Sequence, residues 1–566
     1  MHKRWETRGG DTVAELTGMP SMLPLTARIL AARGITTPEE AARFLAPALS
    51  ALPDPFLLRG MAAAVARLAA ARRNRETVCI YGDYDVDGIT ATALLVSFLR
   101  ATGTACRYFI PNRFDDGYGL SREAIDHIRA DGADLIVSVD CGITAVDEAL
   151  YCRQQGIDLI IVDHHTPLPT IPAACAVLNP LQPGCDYPFK FLAGVGVAFN
   201  LVIALRAALR DEGAFAPGNE PDLRQWLDLV ALGTIADVVP LTDENRIFAC
   251  HGLRQLSCSP QPGIQALKRV AGVTGEVNSG QVGFRLAPRL NAAGRMESAV
   301  PGVELLLSDN PEETAQLAAD LDSANAERQA VERRIFEEAS AMVEAAGDYP
   351  ERRSIVLASP TWHQGVVGIV AARLVERYHR PTILISLAED GSAKGSGRSI
   401  PGFHLLDALT ACAPHLERFG GHRYAAGIGL RSENQAEFRA AFEAEAARCL
   451  ADADLVPRLE IDAEAQPEEV TRELALELKR LAPFGAANPE PVLVMRGMKV
   501  TERRSVGDGH LRLRLAIGRH SFSAIAFRMA QRDTEGMLDV AFFPEINEWN
   551  GSSTLQLRVK DLRPAE

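Results

Sequence analysis

From Thr77 to Pro180 short apolar runs alternate with amphipathic stretches. "TVCIY" precedes "GITATALLVSFLRATG", "ACRYFI" precedes "SREAIDHIRADG", "ADLIVSV" precedes "ITAVDEALYCRQQG", and "IDLIIV" precedes a proline-rich loop and "CAVLN". Runs that are apolar and β-branched throughout fit strands buried on both faces, and the helical periodicity between them supplies the cover. The pattern predicts an α/β domain with a parallel sheet. In such a sheet the carboxyl ends of neighbouring strands line one crevice, where residues far apart in sequence meet.

Those ends are acidic. Asp83, Asp85 and Asp87 follow the first run in "YGDYDVDG", Asp140 follows "LIVSV", and Asp163, His164 and His165 follow "LIIV". Asp237 in "IADVVPL" can complete the set from a helix end. A lone aspartate after a strand is ordinarily a turn or cap residue, and Asp-Gly is common turn chemistry. Acids and imidazoles gathered at the same end of successive strands differ, because they repel one another and resist desolvation unless a counter-charge is present. A divalent cation is the economical neutraliser, and oxygen-rich ligands with one or two imidazoles suit manganese or magnesium better than zinc. Asp140 lies between the other groups in strand order and could bridge two ions. Two ions about 3.5–4 Å apart activate water and stabilise the attacking and leaving oxygens of a phosphoryl transfer. Phosphoester hydrolysis is the chemistry these residues predict.

At 566 residues the chain is too long for one core. Residues 311–346 contain no internal glycine or proline and many strong helix formers, which predicts a rigid connector reaching roughly 50 Å. A second α/β unit follows, with strands "RSIVLAS" and "PTILIS" around the helix "VVGIVAARLVERY", then the glycine-rich segments "GSAKGSGRS" and "FGGHRYAAGIG". From about Leu459, closely spaced strands separated by turns such as "GDG" and "WNG" predict a small barrel, with the OB-fold leading. The expected organisation is an N-terminal helical segment over 1–50, a catalytic α/β domain over 51–300, the connector over 301–346, a substrate-binding domain over 347–452 and the barrel over 453–566.

The formal net charge of −14 argues against a general polyanion-binding surface and confines any nucleic-acid contact to a local basic groove. No run of about 18 apolar residues exists to span a membrane, and no apolar stretch follows the basic residues of "MHKRWETRGG". A cytoplasmic protein without membrane contact is expected. Ten cysteines, none in a CxxC pair, fit buried thiols better than disulfides or zinc ligands.

In this order "DYDVDG", "VDCG", "VDHH" and "ADVV" resemble the four motifs of the DHH phosphoesterase superfamily, and "SGRS" and "GGHRYAAG" resemble its associated substrate-binding domain. With the connector and barrel, nearly the whole chain resembles the bacterial single-strand-specific DNA exonucleases of that superfamily. The resemblance implies Asp85, Asp87, Asp140, His164 and Asp237 as ligands of two Mn2+ or Mg2+ ions, with Asp140 bridging. It implies that His165 orients the site or polarises the phosphate, with Asp83 and Asp163 as helping residues. Tyr81 stands where some relatives carry a histidine four residues before the first ligand, which implies a weaker or more water-filled first metal site.

For substrate contacts, "GFRLAPRLNAAGRMESA" sets Arg285, Arg289, Asn291 and Arg295 among small residues that admit a phosphate. Loop arginines more often serve surface ion pairs of little worth, but the resemblance places a matching stretch near the DNA backbone. In "KGSGRSIPGFH" glycines free the backbone to cup an anion, with Ser396, Arg398 and Ser399 as donors. His422 could donate to the scissile phosphate, whereas His363 is expected to be structural. The resemblance implies that Arg113, Ser396 and Arg398 recognise a 5′ phosphate and that Tyr118 stacks on a base. In the barrel, Arg503, Arg504, Arg512, Arg528 and Arg558 with Phe527 and Trp549 offer charge and stacking to a single strand; ordinary solvent-facing strand positions explain them equally well.

The expected protein is a monomeric, metal-dependent exonuclease that degrades single-stranded DNA from the 5′ end to mononucleotides in repair and recombination. A single-strand-binding protein and a RecQ-type helicase are the partners the resemblance implies. Two other readings stand beside it. A superfamily phosphodiesterase for short RNA or cyclic dinucleotides needs no extended barrel track, and a non-catalytic DNA-binding replication scaffold needs no full acidic set.

Overall fold

The computed structural model describes residues 3–9, 16, 22–112, 119–549 and 552–565. The chain divides into two compact units: Glu6–Asp322 with Glu460–Glu566, and Met1–Trp5 with Ser323–Leu459. No helix among the described residues is long and apolar enough to cross a membrane, and all ten cysteines are free thiols.

In the first unit the expected parallel sheet is present. Its strands Val78–Tyr81, Cys106–Phe109, Leu135–Val139, Asp158–Val162 and Ala176–Leu178 are all parallel, and the second strand lies outside the first. The order therefore reverses between the first and third strands, and a crevice opens at their carboxyl ends. The pleat sends Val78, Ile80, Leu135 and Val137 into one core with the helices Val86–Ala101, Gly194–Asp211 and Leu227–Ala236. It sends Cys79, Tyr81, Ile136 and Ile161 into another with the helices Arg122–Ala130 and Val146–Gln155. Leu227–Ala236 is buried on every side, which its largely apolar sequence permits; its one carboxylate, Asp228, accepts from Ser259 Oγ at 2.6 Å.

The same unit carries the barrel. Leu493–Val506, His510–Ile517, His520–Ala526, Ser552–Pro564 and Met537–Trp549 pair in that order, and Met537–Trp549 closes back onto Leu493–Val506. The N-terminal segment is not an independent element, and it includes a strand, Arg4–Thr7, besides its helices. Leu25, Ile29 and Leu30 of the helix Pro24–Ala32 share one core with Leu474, Leu493 and Phe542 of the barrel region. Arg246 ties this body to the sheet domain: the buried guanidinium donates to Phe44 O at 2.8 Å, Leu481 O at 3.0 Å and Ala482 O at 2.9 Å.

The connector is an unbroken 36-residue helix, Pro311–Ala346, and the boundary between the units falls inside it. In the second unit the sheet order is Arg418–Gly421, Ala425–Arg431, Ser392–Arg398, Thr382–Leu387, Ile355–Ser359; only the last two strands are parallel. The "GSAKGSGR" segment, read as an anion-cupping loop, is thus a strand at the centre of a sheet. Its glycines serve packing, since a Cβ on Gly395 would lie 2.8 Å from Ile428 Cγ1 and one on Gly397 would lie 3.0 Å from Leu405 Cδ2.

Candidate metal centre

The three acidic loops leave three adjacent strands. Asp85 caps the helix Val86–Ala101, accepting from Asp87 N at 2.9 Å and Gly88 N at 3.2 Å. That cap turns the chain sharply enough to aim Asp87 inward, where Gly194 N donates to Oδ2 at 2.6 Å and Val195 N to Oδ1 at 2.9 Å. The positive end of the helix Gly194–Asp211 thus faces Asp87. Gly194 is needed for a close approach, because a Cβ there would sit 2.8 Å from Asp140 Oδ1. Asp140 itself adopts a left-handed conformation, φ 61°, a rare state for a non-glycine residue and frequent at functional sites.

Among the described residues three groupings form, one of them Asp140, Asp163, His164 and His165. In the other two, both mainly acidic, ligand atoms of Asp83, Asp85 and Asp140 lie within 4.8 Å of one another, and so do those of Asp87, His164 and Asp237. Asp140 joins the last of these too, with Oδ1 3.1 Å from His164 Nε2. His164 Nε2 is also 3.8 Å from Asp87 Oδ2 and 3.7 Å from Asp237 Oδ2. Asp140 Oδ1 and His164 Nε2 are both buried, and neither has a hydrogen-bond partner among the described residues. Two buried acceptors facing each other need a proton or a cation between them.

Electrostatics point the same way. Burial, then the charge of Asp85, pushes Asp87 up to about 7. Burial with the Asp87 charge raises Asp140 and Asp237 well above the carboxylate range. Burial and the neighbouring His165 lower His164 to about 4, so its ring is neutral near pH 7 and presents a lone pair. Asp163 and His165 are different in kind. Burial would raise Asp163, yet the His165 hydrogen bond at 2.7 Å and amide donation from Ile143, His164 and His165 hold it near 2. Burial would lower His165, but the Asp163 bond outweighs it and lifts the imidazole to about 9. The pair is a fixed carboxylate–imidazolium beside the cluster, and the cluster's donor set fits hard divalent ions.

Tyr81 does not reach toward the acids: it is buried, donates to Gly119 O at 2.7 Å and stacks on Phe109. Asp83 instead supplies the third carboxylate beside Asp85 and Asp140. Asn291 accepts from Val86 N at 3.2 Å and so braces the Asp85 turn. Arg289 is engaged by Asp322 at 2.8 Å, and Arg295 stands half-buried in the last turn of the helix Ala287–Met296. Ser396, Arg398, Ser399 and His422 belong to the other unit. There Arg398 donates to Ser396 Oγ at 3.1 Å, and both lie against the start of the helix Val367–Tyr378, where a Cβ on Gly368 would meet Ser396 Oγ at 2.8 Å. Ser399 Oγ donates to Phe403 O at 2.9 Å, His422 is exposed beside Arg418–Gly421, and His363 Nδ1 accepts from Gly365 N at 3.2 Å. Arg113, Tyr118 and the Trp549 side chain lie outside what is described. The Gly194 and Val195 amides were missed in the sequence; the small-residue run "AGVGVAF" before a helix was the available signal.

Comparison with known proteins agrees with this geometry. Residues 77–234 match the DHH family N-terminal domain, 352–448 the DHHA1 domain and 461–561 the RecJ OB domain. The chain is 40% identical to the single-stranded-DNA-specific exonuclease RecJ of Bacillus subtilis over 100% of this chain and 71% of the relative. It is 40% identical to that of Escherichia coli over 98% of both. The crystal structure of Thermus thermophilus RecJ with Mn2+ superposes with a TM-score of 0.86 at 33% identity, covering 100% of this chain and 80% of that one. The Mg2+ complex from the same organism superposes with a TM-score of 0.79 at 31% identity, covering 100% of this chain and 79% of that one. Acids converging on a parallel sheet, an associated α/β unit and a closed barrel, matched over the full length at this identity, place the chain in the RecJ family of single-stranded-DNA-specific exonucleases.

Proposed function

We propose that this chain hydrolyses single-stranded DNA from its 5′ end, releasing mononucleotides, with two divalent ions at the carboxyl edge of the parallel sheet. The observation that carries the reading is the pair of buried, unsatisfied acceptors Asp140 Oδ1 and His164 Nε2, 3.1 Å apart where the two acidic groupings meet. Asp83, Asp85 and Asp140 would hold one Mn2+ or Mg2+, and Asp87, Asp140, His164 and Asp237 the other. Bound there, the ions supply Lewis acidity, lowering the pKa of water and balancing charge on the phosphoryl oxygens.

The remaining work belongs to the side chains. Gly194 and Val195 hold both oxygens of Asp87, so its carboxylate cannot swing as substrate enters. His165, kept charged by Asp163, offers the one imidazolium beside the described acids and would steady a phosphate oxygen that gains charge in the transition state. Ser396, Arg398 and Arg113 would recognise the terminal phosphate and His422 the scissile one, with Ser399, Arg289, Asn291 and Arg295 along the backbone and Tyr118 on a base. A protein of this kind acts in the cytoplasm in DNA repair and recombination, as a monomer. It depends on a RecQ-type helicase and a single-strand-binding protein for its substrate.

Strands labelled at the 5′ or the 3′ end, a duplex and a cyclic dinucleotide, each incubated with and without Mn2+, test the reading. Mononucleotides released from the 5′ end of the single strand, only with Mn2+, are expected. Equal cleavage of duplex, or activity confined to dinucleotides, would overturn it.

A further inference from the structure

Directly after Asp237 stands a residue that neither packing nor backbone preference explains. Asp237 is the last residue before the chain leaves the helix Leu227–Ala236, and Val238 follows at φ 62° with its side chain 70% exposed. The first residue beyond a helix in the left-handed state is usually glycine, sometimes asparagine. A β-branched residue there is a genuine outlier. Single exposed apolar residues are normal on surfaces, but this one combines exposure with strain and adjoins a carboxylate 3.7 Å from His164. Such strain persists where the surroundings over-determine it, and it clusters at ligand contacts. The surroundings do so here: Asn245, fully buried, donates from Nδ2 to Pro240 O at 3.0 Å and to Phe191 O at 2.6 Å. That amide ties the segment after Val238 to the loop that leads into Gly194.

We propose that Val238 selects the sugar of the substrate: its isopropyl group packs against the C2′ face of the deoxyribose bonded to the phosphate held at the acidic cluster. The inference rests on the nuclease reading above. The sugar is the group covalently next to the phosphate, as Val238 is the residue covalently next to Asp237, which makes the sugar the part of the substrate such a side chain would meet. Against a deoxyribose methylene the contact is apolar on both sides. Against a ribose it traps a 2′-hydroxyl on a methyl group with no hydrogen-bond partner. A glycine there would relax the backbone but leave the sugar unread.

The test compares wild type with Val238→Thr, which keeps the branched shape and adds a hydroxyl partner, and Val238→Gly, which relaxes the backbone and removes the wall. The substrates are 5′-phosphorylated DNA strands and the same strands with one ribonucleotide at each of the terminal positions; kcat/KM is measured for each, and Mn2+ binding is followed by loss of the free-ion electron paramagnetic resonance signal. Wild type is expected to disfavour the ribonucleotide about 10–100-fold, the range an apolar contact achieves against an added hydroxyl. Both variants should shrink that ratio at least about tenfold with Mn2+ binding unchanged. An unchanged ratio in both variants, or no discrimination by wild type, would overturn the proposal. So would weakened Mn2+ binding, which would make Val238 a support for Asp237 instead. Wild type inert on all DNA would refute the nuclease reading itself.

Discussion

Charged side chains at the crevice of the parallel sheet and on the barrel are disposed in opposite ways. Asp87, Asp140 and Asp237 converge with a neutral imidazole and beside the His165 imidazolium, and burial with mutual repulsion raises all three carboxyl groups. On the barrel, Arg558 is held by Glu490 at 2.6 Å and Glu545 at 2.9 Å, and Lys560 joins Glu490 at 2.8 Å. Arg496 likewise meets Glu464 and Asp539, each at 3.0 Å. Pairing neutralises Arg496, Arg558 and Lys560 within the chain, so these three carry structure and little binding capacity. The crevice charges balance only when something else arrives. By that measure Arg558 is a poor candidate for a DNA contact, whereas Arg504 and Arg512, exposed and directly opposite on paired strands, form a like-charged pair that an anion would relieve.

The sharpest way to break the contrast is Asp140→Ala. Removing the carboxylate common to the groupings should reduce DNA turnover at least about 1,000-fold, with single-strand affinity by filter binding largely intact; retained activity would remove Asp140 from the mechanism. Next is the pH dependence of the metal-free protein. Asp87 has a folded pKa of about 7, above its unfolded value, so the folded state keeps a proton that the unfolded chain releases between about pH 4 and 7. Stability should fall as pH rises through that window, by a few kcal/mol, and Mn2+ should reverse the fall. Melting temperatures from pH 4 to 8, with chelator and with Mn2+, check the sign, and a rising chelated curve would contradict it.

Asp83→Asn should weaken Mn2+ binding by about 10–100-fold, read by calorimetry; no change would return Asp83 to a supporting position. On the barrel, replacing Arg504 and Arg512 by alanine should each lower the slope of log affinity against log salt by about 0.7, while Arg558→Ala leaves the slope alone. Equal changes for all three would erase the distinction between paired and unpaired arginines. Smallest of all, Arg289→Ala should lower single-strand affinity by about 1 kcal/mol or less, because its guanidinium is shared with Asp322; no loss at all would remove it from the backbone contacts.

Much of the centre was legible because its signals are local. Apolar runs at strand spacing, and acids placed directly after them, are written in consecutive residues, so the sheet, the crevice and the gathering of acids and imidazoles at its edge follow from order, whereas the choice of Asp85, Asp87, Asp140, His164 and Asp237 among them rested on the family resemblance. The unbroken helix Pro311–Ala346 and the closely spaced barrel strands were legible for the same reason. The glycine-rich "GSAKGSGR" misled because glycine signals both backbone freedom and close packing, and only the neighbours Ile428 and Leu405 distinguish the two.

By itself, then, the amino-acid order determined the periodicity of each element and the end of each strand at which charge would gather. Tertiary structure alone decided that Asp83 stands beside Asp140, that the Gly194 and Val195 amides restrain Asp87, that Asn291 braces the Asp85 turn, and that the N-terminal helices complete the barrel core. The physical reason is range. Secondary structure answers to forces between residues a turn or a pleat apart, whereas which carboxylates share a cation, and which amides restrain them, depends on packing between segments a hundred or more residues apart.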